Sequence, residues 1–181
     1  LQYTTNVAKT NLRLRFNHPI KEIIWIMPYK DFETAIGTGA VIDATLTTPH
    51  KNDYFNYNAS NATSTFKETI GGQDSYEGFT KATIKLNGHT RFKERDASYF
   101  RLCQPRQAGH KIPTKHIYMY SFALNPEEHQ PSGTCNFSRL DNAELSLKTV
   151  NDADNYRLNV YGVNYNVLRI MSGMGGLAYS N

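Results

Sequence analysis

Phe79-Thr80-Lys81-Ala82-Thr83-Ile84-Lys85-Leu86-Asn87-Gly88-His89-Thr90-Arg91-Phe92-Lys93 decides the fold class. Ala82, Ile84 and Leu86 fall on one face of an extended chain and Lys81, Thr83 and Lys85 on the other, the period of two that a half-buried strand requires. Asn87-Gly88 then supplies the positive φ angles of a type I′ turn, so a hairpin returns through His89 to Lys93.

Upstream, Leu12, Leu14 and Phe16 alternate with Arg13 and Arg15, a second half-buried strand that His18-Pro19 breaks. Ile23-Ile24-Trp25-Ile26-Met27 is apolar throughout and stops at Pro28, which predicts a short strand buried on both sides. From Tyr29 to Tyr76, Gly, Asn, Thr, Ser and Asp dominate; Ala40 to Leu46 offers one strand within what reads as long surface loops.

Downstream, Tyr99 to Cys103, Lys115 to Leu124, Ala143 to Thr149 and Tyr156 to Met171 read as further strands between Pro and Gly breaks. In the last of them the apolar phase slips after Gly162, from Tyr156, Leu158 and Val160 to Val163, Tyr165 and Val167, which predicts a β-bulge at Gly162. Helical periodicity is nowhere sustained in the sequence. About eight short strands joined by turns and long loops predict an all-β protein, an antiparallel β-sandwich or jelly roll.

A chain of 181 residues with twelve Tyr, nine Phe and one Trp can bury a sizeable core. Its 20 basic and 16 acidic residues leave a charge of +4, but Lys and Arg are scattered singly, which argues against a dedicated nucleic-acid partner. Cys103 and Cys135 lie in unlike contexts without metal spacing, and two lone thiols point to a reducing compartment. No stretch approaches the roughly 18 to 20 apolar residues that span a bilayer. The first residues lack Met and a signal core and resemble the approach to a strand, so the chain is expected to be part of a longer one.

Chemistry-bearing patterns are weak. Gly173-Met174-Gly175-Gly176-Leu177-Ala178 matches a dinucleotide fingerprint in letters, but three residues remain after it, too few for the helix that would hold the pyrophosphate; a Gly-rich final strand is the expected structure. Gly37-Thr38-Gly39 follows no strand and is discounted. His18, His50, His89, His110, His116 and His129 form no H-x-H or H-x-x-x-H pair, so the ligand set of a cupin-type metalloenzyme is missing. Glu127-Glu128-His129 is the densest ligand-like cluster, and between Pro126 and Pro131 it is expected to be a solvated loop. No nucleophile motif or acid/base pairing is evident, so no catalytic, cofactor or metal residue is assigned and the chain is not expected to be an enzyme. Asn58, Asn61 and Asn136 begin N-x-[ST] triplets and are candidate N-glycosylation sites.

Several blocks resemble the major capsid proteins of nucleocytoplasmic large DNA viruses, the iridovirus, chlorovirus and mimivirus group. Phe16 to Trp25 resembles that family's FNHPVKELIW segment and Leu86 to Phe92 its LNGHDRF hairpin, with Tyr99-Phe100 following. Tyr120 to Leu124, Gln130 to Gly133 and Asn136 to Asp141 resemble its YSFAL, QPSG and NFSRxD elements, and Asn164 to Tyr179 its terminal signature. The resemblance implies the second roll of a double jelly-roll protein. On that basis residues 1–181 are the C-terminal jelly-roll domain, with a loop insertion at about 29–76 and the N-terminal jelly roll absent from this sequence.

It further implies a structural protein of an icosahedral virion, assembled in the infected cell, in which homotrimers form pseudo-hexagonal capsomers that tile the shell. The implied partners are neighbouring capsomers, minor capsid proteins and the N-terminal jelly roll of the same protein, with an inner viral membrane beneath the shell into which this chain does not insert. The competing reading from the residues is a glycan-binding, lectin-like jelly roll, whose many aromatics would suit sugar stacking.

Overall fold

The computed structural model describes residues 2–6, 11–27, 67–70, 73–149 and 157–179. The expected strand at Ala40 to Leu46, the Gly37-Thr38-Gly39 fragment, His50, Asn58 and Asn61 lie outside the described residues.

Two antiparallel sheets carry the fold, as the alternation predicts. In the first, β1 (Gln2–Asn6), β12 (Arg157–Asn164), β3 (Pro19–Ile26) and β10 (Cys135–Asn136) are neighbours, and β9 (Tyr118–Ser121) also pairs with β3. In the second, β2 (Asn11–Arg13), β11 (Ala143–Thr149), β6 (Phe79–Leu86) and β7 (His89–Thr90) are neighbours, with β8 (Arg95–Asp96) paired to β6. Two separate hairpins complete it, β4 (Lys67–Ile70) with β5 (Gln73–Tyr76) and β13 (Leu168–Met171) with β14 (Met174–Leu177). The β4–β5 hairpin corrects the reading of residues 29–76 as long loops with one strand at Ala40 to Leu46: its polar sequence hides these two strands, which pair with each other and with neither main sheet.

The deciding hairpin forms as read. Asn87 and Gly88 take φ of 50° and 80°, and Leu86 pairs with His89. The turn is fastened from outside, because the Asn87 side-chain oxygen accepts from the backbone N–H groups of Asp141 (3.0 Å) and Asn142 (3.2 Å). Its return strand is shorter than expected and ends at Thr90.

Tyr99 to Cys103 is not a strand. A π-helical turn (Tyr99–Cys103) runs into α1 (Gln104–Gln107), with Pro105 in the first turn of α1, where its missing N–H costs nothing. Ala97, Phe100, Arg101, Gln104 and Ala108 are buried, a spacing of three and four that marks one helical face. The aromatic pair Tyr99-Phe100 suggests a strand, but packing of Phe100 on Trp25 and Phe92 overrides that local preference.

Gly162 is not a bulge either. Leu158, Val160 and Gly162 keep one inward phase, and the pairing slips one step later, between Val163 and Asn164, with Lys21 of β3 as the extra residue. Glycine at 162 makes room for a neighbour: a Cβ there would lie 2.9 Å from Ile20 Cδ1 and would force that methyl to shift. The expected continuous segment Tyr156 to Met171 is divided, since β12 ends at Asn164 and β13 begins at Leu168.

Between the sheets lies an aromatic cluster. Trp25 and Tyr118 are register partners on β3 and β9, stacked at 6.0 Å. Phe79 reaches them from the other sheet, at 6.4 Å from Trp25 and 4.6 Å from Tyr118, and Phe100 closes the cluster at 5.3 Å from Trp25. All four rings are fully buried. Ile24 and Ile26 on the other face of β3 are partly exposed, so this strand is buried completely on its inner face alone.

A polar network sits beside the cluster. Arg101 Nε donates to Glu77 Oε1 at 2.8 Å, the Tyr118 hydroxyl donates to Glu77 Oε2, and His116 Nε2 lies 3.9 Å from the same carboxylate. Burial, and to a lesser degree the positive charges of Arg101 and Lys115, lower the His116 pKa to about 4 despite that carboxylate.

Two outcomes follow from this core. Trp25→Ala loses about 3 to 5 kcal/mol in denaturant unfolding, the range for emptying an aromatic site, whereas Trp25→Phe loses much less because the indole N–H has no partner among the described residues. An unchanged midpoint for Trp25→Ala would remove that ring from the core. Because His116 resists protonation in the fold, the unfolded chain binds the extra proton between its ordinary pKa near 6.5 and about 4. Stability therefore falls through that window as pH is lowered, by about 3 kcal/mol when complete, and His116→Gln flattens this part of the profile; a wild-type and variant profile of equal slope would refute the assignment.

Candidate assembly surface

The β13–β14 hairpin has no counterpart in the core. Ser172 and Gly173 take φ of 51° and 79° at its turn, and Met171 then pairs with Met174 and Leu168 with Leu177. The Gly-rich tail thus forms a hairpin turn and a closing strand. Gly175 and Gly176 face open space, which leaves the strand backbone accessible to a partner.

Its apolar side chains point outward. Leu168, Ile170, Met171, Met174 and Leu177 are 62 to 75% exposed, and Val167 and Tyr179 add to the patch. Isolated single apolar residues on a surface need no explanation, but seven exposed within thirteen consecutive positions leave both faces of the hairpin apolar, Leu168, Ile170 and Leu177 on one side and Met171 with Met174 on the other, a concentration of the kind that marks an interaction site. A lone two-stranded hairpin is also marginal in water, so a covering surface would supply the burial that it lacks.

Polar contacts tie the two ends of this hairpin together at its base. Asn166 Oδ1 accepts from the N–H of Val167 (2.8 Å) and of Tyr179 (3.3 Å), while its Nδ2 donates to the Tyr179 carbonyl at 3.0 Å. The Tyr179 ring lies 5.4 Å from the His18 ring. His18 itself holds φ of 70°, and its backbone N–H donates to Ser138 Oγ at 2.8 Å. The Asn17-His18-Pro19 turn, the Asn136 to Asp141 element and the chain's last described residues therefore meet at one corner.

The residues singled out from sequence fall in different places. Asn136 is exposed, and its side chain caps the short 3-10 turn Phe137–Arg139 by accepting from the Ser138 N–H at 3.1 Å. His89 and His129 are exposed on loops or strand ends, and His116 is buried in the core network. Glu127, Glu128 and His129 do not act as a unit. Glu127 instead approaches His110 (3.8 Å), which pairs with the buried Glu22 at 2.9 Å, a grouping that sequence reading missed because 88 residues separate His110 from Glu22. Both cysteines are unpaired as disulfides, and burial raises the Cys135 pKa more than Arg91 lowers it, which keeps that thiol unreactive.

A family model for the large eukaryotic DNA virus major capsid protein matches residues 2–176. The major capsid protein of Pyramimonas orientalis virus is 40% identical over 205 aligned residues, which cover 100% of this chain and 42% of the relative. That of Paramecium bursaria Chlorella virus 1 is 42% identical over 212, covering 98% and 44%. Among solved structures, the quasi-atomic model of the PBCV-1 virus capsid superposes with a TM-score of 0.68 at 35% identity, over 99% of this chain and 50% of that one. The chain spans less than half the length of these two curated relatives.

Asn166→Ala removes three hydrogen bonds at the base of the hairpin without touching the core. Amide exchange across 168–177 should accelerate at least about tenfold while the sandwich strands keep their protection; unaltered exchange there would show that Asn166 does not hold the hairpin.

Proposed function

Because the chain belongs to the family of large eukaryotic DNA virus major capsid proteins, we propose that it is a structural unit of an icosahedral virion shell. The observation that carries this reading is the family match along residues 2–176, which spans both sheets and the exposed hairpin. Its work is assembly: many modest contacts, each weak, are multiplied by valency across a closed lattice. A rigid sandwich suits that task, since interfaces repeated over a shell demand one fixed shape.

In this reading residues 1–181 form the C-terminal roll of a double jelly-roll subunit, an N-terminal roll precedes them in the full-length protein, and three subunits make a pseudo-hexagonal capsomer. Neighbouring capsomers, minor capsid proteins and an underlying membrane complete its surroundings. The apolar β13–β14 hairpin supports this arrangement, since it offers a face to be covered by the remainder of the subunit. Asn58, Asn61 and Asn136 remain the positions proposed for glycans. The lectin-like alternative gains no support from the relatives described above, which are capsid proteins.

Negative-stain microscopy and sedimentation of the full-length protein should give ring-like trimers. Residues 1–181 expressed alone should aggregate or fail to trimerise, and Ile170→Asp with Met174→Asp in the full-length protein should abolish the rings. Monodisperse trimers from residues 1–181 alone would contradict the proposed dependence on the rest of the subunit.

A further inference from the structure

Glu22 is a carboxylate only 2% exposed, and its strand does not explain that burial. It lies on β3 beside the extra residue Lys21, on the face turned away from Trp25, where two loops cover it. One loop brings His110, whose Nε2 lies 2.9 Å from Glu22 Oε2; the other brings Glu127, whose Oε1 lies 3.8 Å from the same ring nitrogen. One ligand atom from each of the three residues lies within 4.8 Å of the other two.

We propose that Glu22, His110 and Glu127 form a binding site for a divalent transition ion of the zinc class, which straps both loops to β3. One imidazole and two carboxylates are a donor set that such ions accept, with water completing the shell. Ligand atoms about 2.1 Å from a tetrahedral ion stand roughly 3.4 Å apart, and the two separations from His110 Nε2, 2.9 and 3.8 Å, bracket that value. Small side-chain rotations would equalise them. A hard ion such as Mg²⁺, which prefers oxygen donors and retains several waters, fits this set less well.

Lys21 is the competing cation, and its contacts show why it does not fill the role. Its ammonium donates to the Pro126 carbonyl and lies 5.9 Å from the Tyr165 ring centre, whereas Glu127 is 4.0 Å away at the limit of an ion pair. Lys21 can therefore keep these partners while Glu127 turns to the ion. Two carboxylates against one ammonium leave a net negative charge that favours a dication, and loop residues otherwise exposed to water gain a fixed position.

The test uses the full-length protein stripped with a chelator and titrated with Zn²⁺ and Co²⁺, with metal per chain measured by mass spectrometry and Co²⁺ ligation by its visible absorption. One equivalent per chain is expected, weakened at least tenfold by His110→Ala and by Glu127→Gln, both outside the core, and unaffected by the neighbouring Glu128→Gln. Circular dichroism melts confirm that the variants fold. Failure to bind either ion below millimolar concentration overturns the proposal, as does binding that persists unchanged in folded His110→Ala, which would place the ion on other surface histidines.

Discussion

The contact of Trp25 and Tyr118 from one sheet with Phe79 from the other is the constraint from which the remaining architecture follows. Each ring is large, and together they fix how far apart and at what angle the sheets sit. Phe100 joins them from the π-helical turn, which explains why a segment with strand-like composition coils instead. The part-buried Glu77, with buried Arg101, Tyr118 and His116, then pairs the Arg101 guanidinium that this irregular segment carries into the interior.

Legibility in the sequence followed the strength of the local pattern. Phe79 to Leu86 and Ala143 to Thr149 were readable to the residue, because alternation and turn chemistry there agree with the tertiary packing. The helical turn was hidden behind Tyr99-Phe100, although the spacing of Ala97, Phe100, Arg101, Gln104 and Ala108 carried the signal. Gly162 misled for another reason: a phase change in the letters looked like a bulge, whereas the glycine makes room for Ile20 and the slip belongs to Lys21.

Sites assembled across the chain were out of reach of motif reading. Glu22 and His110 meet only after β3 and the loop beyond α1 are placed, and nothing in their immediate neighbours announces the other. The exposed hairpin was partly legible as a Gly-rich final strand, but its outward apolar face was not, since Leu168 to Leu177 reads like core. That face is the feature a free sandwich would least tolerate and a shell subunit would use. The division of labour proposed is thus physical: aromatic packing makes the plate rigid, and the apolar hairpin left over at one corner awaits cover from the rest of the subunit.

Hydroxyl-radical footprinting of Met171 and Met174 tests that division most directly, because thioether oxidation reports solvent access at the hairpin itself. The account predicts that in assembled full-length protein both side chains oxidise as slowly as the core residues Met27 and Met119, although they are 62 and 75% exposed on the isolated roll. Rapid oxidation of Met171 and Met174 in the assembly, while Met27 and Met119 stay protected, would contradict it.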